Sequence, residues 1–217
     1  MNNLLRHNYE NKEFLSFDFE TEGLSLFNSR GWDIAWSIYK GKNLVEKHQY
    51  FIKWPNLNVS AGAAAVTGFN QKTIDEFGRD PKEICDLFDS YIYNPKYICI
   101  GANAIHYDLF IHNTHRREFG LKSDYSYLNR MIDTNAISKA YKLNRKPPTD
   151  KDDFIPFQYS MLNFRQKGLK TSNAVMAKEL EIKVDDTKFH GALYDAEITF
   201  QVFLQLMQKV ELVDYYQ

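Results

Sequence analysis

Phe14-Leu15-Ser16-Phe17-Asp18-Phe19-Glu20-Thr21-Glu22-Gly23-Leu24 begins as a short apolar, aromatic run and carries two acids inside it. Such a run has the pattern of a core β-strand. Side chains two apart on a strand share a face. Asp18 and Glu20 therefore project together, while Phe17 and Phe19 take the other side. Two like charges held that close repel unless a cation lies between them. Mg²⁺ takes oxygen ligands and often only one or two carboxylates. The plain alternative is a strand running off its sheet with both acids in water, and this stretch alone leaves the two readings open.

The rest of the chain sets the frame. Its 217 residues suit one compact domain. Apolar residues at 44% and charged residues at 25% are an ordinary globular balance. A net charge of −1 argues against a protein that coats nucleic acid by bulk electrostatics, but it permits a local basic groove beside an acidic site. Two cysteines, Cys85 and Cys99, are too few for a disulfide framework or a zinc cluster and read as reduced core residues. No signal-peptide run opens the sequence and no stretch reaches membrane-spanning length. The expectation is a soluble, intracellular, cytoplasmic protein with no membrane contact.

Residues 1–12 are expected to form a frayed lead-in. Phe14–Phe19, Ile34–Tyr39 and Leu44–Trp54 read as three strands joined by short turns, Lys40-Gly41-Lys42-Asn43 among them, which suggests an antiparallel meander. Ser60 to Val66 reads as a short helix with Ser60 as N-cap and Gly68 as stop. Asp80-Pro81 starts another, cap then first-turn proline. The strand Tyr97–Ile100 follows, then a helix from about Ile105 to Phe119 with Tyr107, Phe110 and Ile111 as its buried stripe. Met131-Ile132-Asp133-Thr134 reads as a strand end entering a helix that runs to Tyr141. This alternation implies parallel pairing. Residues 142–159 are expected to be an exposed loop. Helices follow at Met161–Gln166, Ala174–Leu180 and about Ala192–Glu211.

Three further features bear on chemistry. Asp108 lies in the first turn of a helix that follows a strand, where ligand sites of open α/β sheets gather. A favourable helix dipole is the simpler reason for an acid there. Asp195 opens the last helix in line with Ile198, Val202 and Leu206, which places it on a core-facing edge, where an acid needs a partner. Simple capping explains it equally well. His190 stands on the loop just before; such a histidine is usually solvated, but its ordinary pKa suits a general base. Asp152-Asp153 and Asp185-Asp186 read as solvated pairs, and His106, His112 and His115 lack a further ligand to complete a zinc site.

Taken together, Asp18-x-Glu20, Asp108 and His190-x-x-x-x-Asp195 resemble the three motifs of the DEDDh, DnaQ-like 3′→5′ exonucleases of the ribonuclease H-like superfamily. The resemblance runs from Phe14 to about Phe203 in the family's order and extends to Ala63-Ala64-Ala65-Val66-Thr67-Gly68 and Asp133-Thr134. Glu22 departs from the small polar residue usual before the glycine. Asn103 and Asp108 have the wider spacing of polymerase-fused members. Gly191 disfavours the tyrosine-type variant.

The resemblance implies a ribonuclease H-like α/β fold with a mixed β-sheet, three antiparallel strands then parallel strands, flanked by helices. It implies hydrolysis of single-stranded DNA or RNA 3′ ends to nucleoside 5′-monophosphates, DNA favoured. Asp18, Glu20, Asp108 and Asp195 would hold two Mg²⁺, or Mn²⁺, about 3.5–4 Å apart. Asp18 would bridge both, Glu20 and Asp195 would serve one and Asp108 the other, and His190 would take the proton of the attacking water. Thr21, Gly23, Leu24, Asn103 and Tyr107 would contact the terminal nucleotide. A DNA polymerase or a second copy of the chain are companions it leaves open. The alternatives are an RNA-trimming or oligoribonuclease-type enzyme, and a non-catalytic module that binds nucleic-acid ends or a polymerase.

Overall fold

The computed structural model describes residues 3–216; Met1, Asn2 and Gln217, the outermost residues of the expected 1–217 domain, lie outside it. Five strands form one mixed sheet: β1 (Glu13–Thr21), β2 (Gly31–Lys40), β3 (Asn43–Phe51), β4 (Tyr97–Gly101) and β5 (Met131–Asp133), in the order β3-β2-β1-β4-β5. The first three are antiparallel, while β4 runs parallel to β1 and β5 parallel to β4. The meander and the switch to parallel pairing are as the sequence implies.

Eight α-helices occur among the described residues: α1 (Ala61–Thr67), α2 (Gln71–Phe77), α3 (Pro81–Ile92), α4 (Asp108–Glu118), α5 (Thr134–Lys142), α6 (Phe154–Asn163), α7 (Asn173–Glu179) and α8 (Ala192–Lys209). None is long and apolar enough to cross a membrane. The expected caps are in place: the Ser60 side chain accepts from Ala63 N–H, Gly68 takes φ 67°, and Asp80 accepts from Glu83 N–H.

The strand period divides the core in two. Leu15, Phe17 and Phe19 enter a cluster with Trp36, Phe88 and Leu109, under α3 and α4. Phe14 turns the other way and packs on Phe200 and Phe203 of α8, at ring separations of 5.6 and 5.3 Å. Ser16, on that second face, donates its hydroxyl to Ala196 O at 2.7 Å. The next two residues on this face are Asp18 and Glu20, so alternation alone delivers both carboxylates to the amino-terminal end of α8.

Several expectations are corrected. The lead-in is packed rather than frayed over its described part. Leu5 is fully buried, its N–H donates to Leu212 O at 2.9 Å, and Leu4 bridges Val213. The 142–159 loop ends early, because α6 starts at Phe154, not Met161, and buries Phe154 and Gln158. The Gln158 amide accepts from Asp133 N–H at 2.6 Å and donates to Met131 O at 3.0 Å, so it satisfies the free edge of β5 as a further strand would. β3 stops at Phe51 rather than Trp54. α2 has no counterpart in the sequence reading; Asn70 caps it by accepting from Lys72 N–H. The helix expected from Ile105 starts at Asp108, which frees Tyr107 from the helical stripe.

Candidate active site

β1 and α8 bring three acids together. Asp18, Glu20 and Asp195 each place a carboxylate oxygen within 4.8 Å of the others. The capping reading of Asp195 holds for one oxygen only: Oδ2 accepts from the His190 N–H at 2.9 Å. Oδ1 is buried and has no hydrogen-bond partner. A buried oxygen left unpaired costs free energy, and here it faces two more carboxylates. Hard oxygen donors in that number suit a divalent cation such as Mg²⁺.

Asp108, the first residue of α4, stands beside Asp18 but outside that trio. Its Oδ1 accepts from Phe19 N–H at 3.2 Å, across the chain from β1. The electrostatics are consistent with close acids in a half-dry site. Burial, then Asp108, Glu20 and Asp195, push Asp18 well above the ordinary carboxylate range. Glu20 is raised by burial and then by Asp195, Asp33 and Asp108. Asp108 and Asp195 are raised chiefly by burial. A bound cation would reverse each of these shifts.

His190 is exposed, takes a left-handed φ of 68°, and lines one cleft of about 780 Å³ with Asp18, Asp195 and Asn103. Asn103 also has positive φ, 63°, and donates its N–H to Asp133 Oδ1 at 3.0 Å. Asp133 is a buried hub: Ile105, Asn135 and Ala136 N–H also donate to it, so it holds the β4–α4 loop that carries Asp108. Burial lifts it to about 6 despite these four donors.

The turn after β1 is braced from three sides. The Thr21 hydroxyl donates to Gly23 O at 2.9 Å, and the Tyr107 hydroxyl also donates to Gly23 O and lies 2.6 Å from Thr21 Oγ1. Tyr107 therefore belongs to this turn rather than to a helical core stripe. Glu22 is buried against Arg30 at 2.7 Å and accepts from Asn58 N–H at 2.8 Å. Leu24, at the tip, is 91% exposed.

Asp33 escaped the sequence reading. It is buried on β2 directly across from Glu20, accepts from Gln49 Nε2 at 3.1 and 3.0 Å, and is lifted to about 7 by burial. An acid between Trp32 and Ile34 was the available signal, but its neighbour is set by pairing register, which is not local. His112 and His115, weighed in the sequence only as zinc ligands, are buried.

No family model matches the chain. Its fold superposes on Exonuclease I of E. coli. For the complex with a dA16 oligonucleotide the TM-score is 0.73, with 16% identity over 91% of this chain and 41% of that one. For the zinc-ion-bound complex with single-stranded DNA it is 0.72, with 15% identity over the same shares. The chain has the DnaQ-like exonuclease fold. Within the ribonuclease H-like architecture, this exonuclease fold places β1 and α8 where the acids converge. At the level of sequence, the chain is 22% identical over 199 residues to a PolC-type DNA polymerase III of Caldanaerobacter subterraneus. It is 25% identical over 203 residues to that of Thermotoga petrophila. It covers only 12% of either polymerase.

Proposed function

We propose that the chain is a metal-dependent 3′→5′ exonuclease that hydrolyses single-stranded nucleic acid, DNA in preference, to nucleoside 5′-monophosphates. The observation that carries this reading is the trio Asp18, Glu20 and Asp195, with its unpaired buried oxygen; two of its members, Asp18 and Asp195, line a cleft. The fold shared with Exonuclease I supports it.

Asp18, Glu20 and Asp195 would hold a divalent metal such as Mg²⁺ or Mn²⁺, and Asp108 would supply a further carboxylate beside Asp18. The chemistry such an ion would supply is Lewis-acid polarisation of the scissile phosphate and a water acidic enough to act as nucleophile at neutral pH. His190, which lines the same cleft, would act as general base toward the attacking water. Its backbone N–H fixes the Asp195 carboxylate, so base and ligand are placed by one loop. The Thr21–Leu24 turn receives the 3′-terminal nucleotide. The exposed Leu24 packs on the base, and Tyr107 and Asn103 flank the sugar–phosphate.

The test is time-resolved digestion of matched 5′-labelled single-stranded DNA and RNA with Mg²⁺, with Mn²⁺ and with chelator. The expected result is a ladder shortening from the 3′ end, faster on DNA, abolished by chelator and by Asp18→Ala. Faster loss of RNA would move the assignment to an RNA-trimming or oligoribonuclease-type enzyme. No cleavage of either polymer would make the chain a binding module.

A further inference from the structure

The cleft that holds the acids has a second wall, and that wall is basic. Lys139 of α5 and Arg165, just past α6, line the same cavity as Asp18, His190 and Asp195. Lys139 is only 8% exposed, yet its ammonium meets no carboxylate among the described residues; it donates to Leu162 O at 2.8 Å and Phe164 O at 3.3 Å. Arg165 donates through one nitrogen to the same two carbonyls, also without an acid partner among the described residues. The carbonyls at the carboxyl end of α6, free of helical partners, thus gather two cations side by side. The two like charges oppose each other, with only Asp133 among the described acids acting on Lys139 from the protein side, and an anion between or above them would favour both.

The surroundings point the same way. Between residues 139 and 170 there are eight basic and three acidic side chains, on a chain whose net charge is −1. At about 780 Å³ the cleft is larger than one terminal phosphate requires. It shares Leu169 with a second recess that continues past Lys167 and Tyr141, and past Lys142, which is paired with Glu179 at 2.7 Å. A strand whose 3′ end lies at the acids can leave past Lys139, Arg165 and Lys167.

We propose that Lys139 and Arg165 form a subsite for the phosphodiester backbone of the substrate strand, upstream of the bond that is cleaved. This rests on the exonuclease reading of the acid cluster. It assigns substrate length as well as chemistry: the enzyme grips an oligonucleotide through phosphates that the Thr21–Leu24 turn does not touch, and a substrate with nothing upstream forgoes that grip.

The experiment compares wild type, Arg165→Ala, Arg165→Lys and Lys139→Met on two substrates. One is a 5′-labelled oligothymidylate. The other is the p-nitrophenyl ester of thymidine 5′-monophosphate, which presents a cleavable bond and no upstream nucleotide. Binding of the oligothymidylate is followed in parallel by fluorescence anisotropy in calcium and in chelator over a range of salt. Arg165→Ala is expected to lose about tenfold in kcat/KM and in affinity on the oligonucleotide, and to stay within about twofold on the ester. Its plot of log affinity against log salt should flatten by about 0.7 for each phosphate that the variant no longer neutralises. Arg165→Lys should restore most of the binding. Equal losses on both substrates, or an unchanged salt slope, would overturn the subsite. Should the wild type cleave neither substrate, the exonuclease reading fails, and the anisotropy arm still decides: Arg165-dependent, salt-sensitive binding keeps the subsite, and its absence removes it.

Discussion

At the scale of single residues, the proposed function separates holding from proton transfer. His190 touches the acid cluster through its backbone N–H and not through its ring. His190→Ala keeps that N–H, so it should lower the rate by about 10²–10⁴, the usual worth of a general base, and leave metal affinity nearly unchanged. Turnover measured alongside titration calorimetry with Mn²⁺ checks this; a matching loss of metal binding would make His190 a ligand. Asp18 shows the opposite behaviour. Its ionised form is penalised by burial and by four neighbouring acids, Asp108, Glu20, Asp195 and Asp33. Asp18→Asn should therefore raise Tm in chelator by roughly 2–4 °C, the equivalent of about 1 kcal/mol for a chain of this size. Wild type should gain more than that on adding Mg²⁺, about 2.7 kcal/mol at a hundredfold excess over Kd, and the variant should gain almost nothing. A Mg²⁺ response of equal size in both proteins would place the metal elsewhere. Strand alternation made Asp18 and Glu20 readable, and an apolar helical line made Asp195 readable, because both are local periodicities. The pairing of Asp33 with Glu20 depends on contacts distant in sequence, and no local pattern announces it.

At the scale of elements, the end of β1 is held by side chains standing in for a ladder. The register shifts between Glu20 and Thr21 and leaves Gly31, across from Thr21, to other partners. Its N–H donates to His115 Nε2 at 2.7 Å, and its carbonyl accepts from Trp54 Nε1–H at 2.7 Å. There is no room for a side chain at Gly31, since a Cβ would fall 2.6 Å from the Phe19 ring. His115 must therefore be neutral and accept at Nε2, and burial pushes its pKa down to about 3. An unfolded histidine titrates near 6.5. Between these values the unfolded chain takes up a proton that the folded chain refuses. The contribution of His115 is thus complete above about pH 6.5 and declines as pH falls toward 3, by at most about 1.4 kcal/mol per unit. His115→Gln keeps an acceptor for Gly31 without the proton uptake. Urea denaturation of both proteins from pH 7 to 4 should show the variant losing less stability on acidification, with His112 cancelling in the difference. Parallel slopes would contradict the assignment. The sequence showed His115 only as one of three histidines on a helix, and its acceptor role needed the bulge to be seen. Similarly, α6 was hidden because Gln158 reads as a polar loop residue until the bare edge of β5 lies beside it.

At the scale of the whole molecule, the two ends of the described chain close over the amino-terminal end of β1, opposite the cleft. Asp214 is the clasp: fully buried in its side chain, it meets Lys12 Nζ at 3.0 Å and accepts from Asn8 Nδ2 at 2.9 Å, while its own N–H donates to Asn3 O at 2.8 Å. Composition gave no hint of this, because a polar opening and an aromatic close look like loose ends until each is the other's partner. Asp214→Ala leaves Lys12 without its counter-charge in a mostly buried setting, a change that typically costs about 3 kcal/mol, and should lower Tm by roughly 6–12 °C. Lys12 and Asp18 are six residues apart on an extended strand, about 20 Å, and effects at that separation are usually additive. The variant should accordingly keep the wild-type KM for a single-stranded substrate at temperatures where it remains folded. Urea midpoints read beside initial rates separate the two effects. A raised KM in the folded variant would mean that the sheet transmits disorder from the clasp to the acids, and that β1 is a softer support for the site than its pairing on both sides implies.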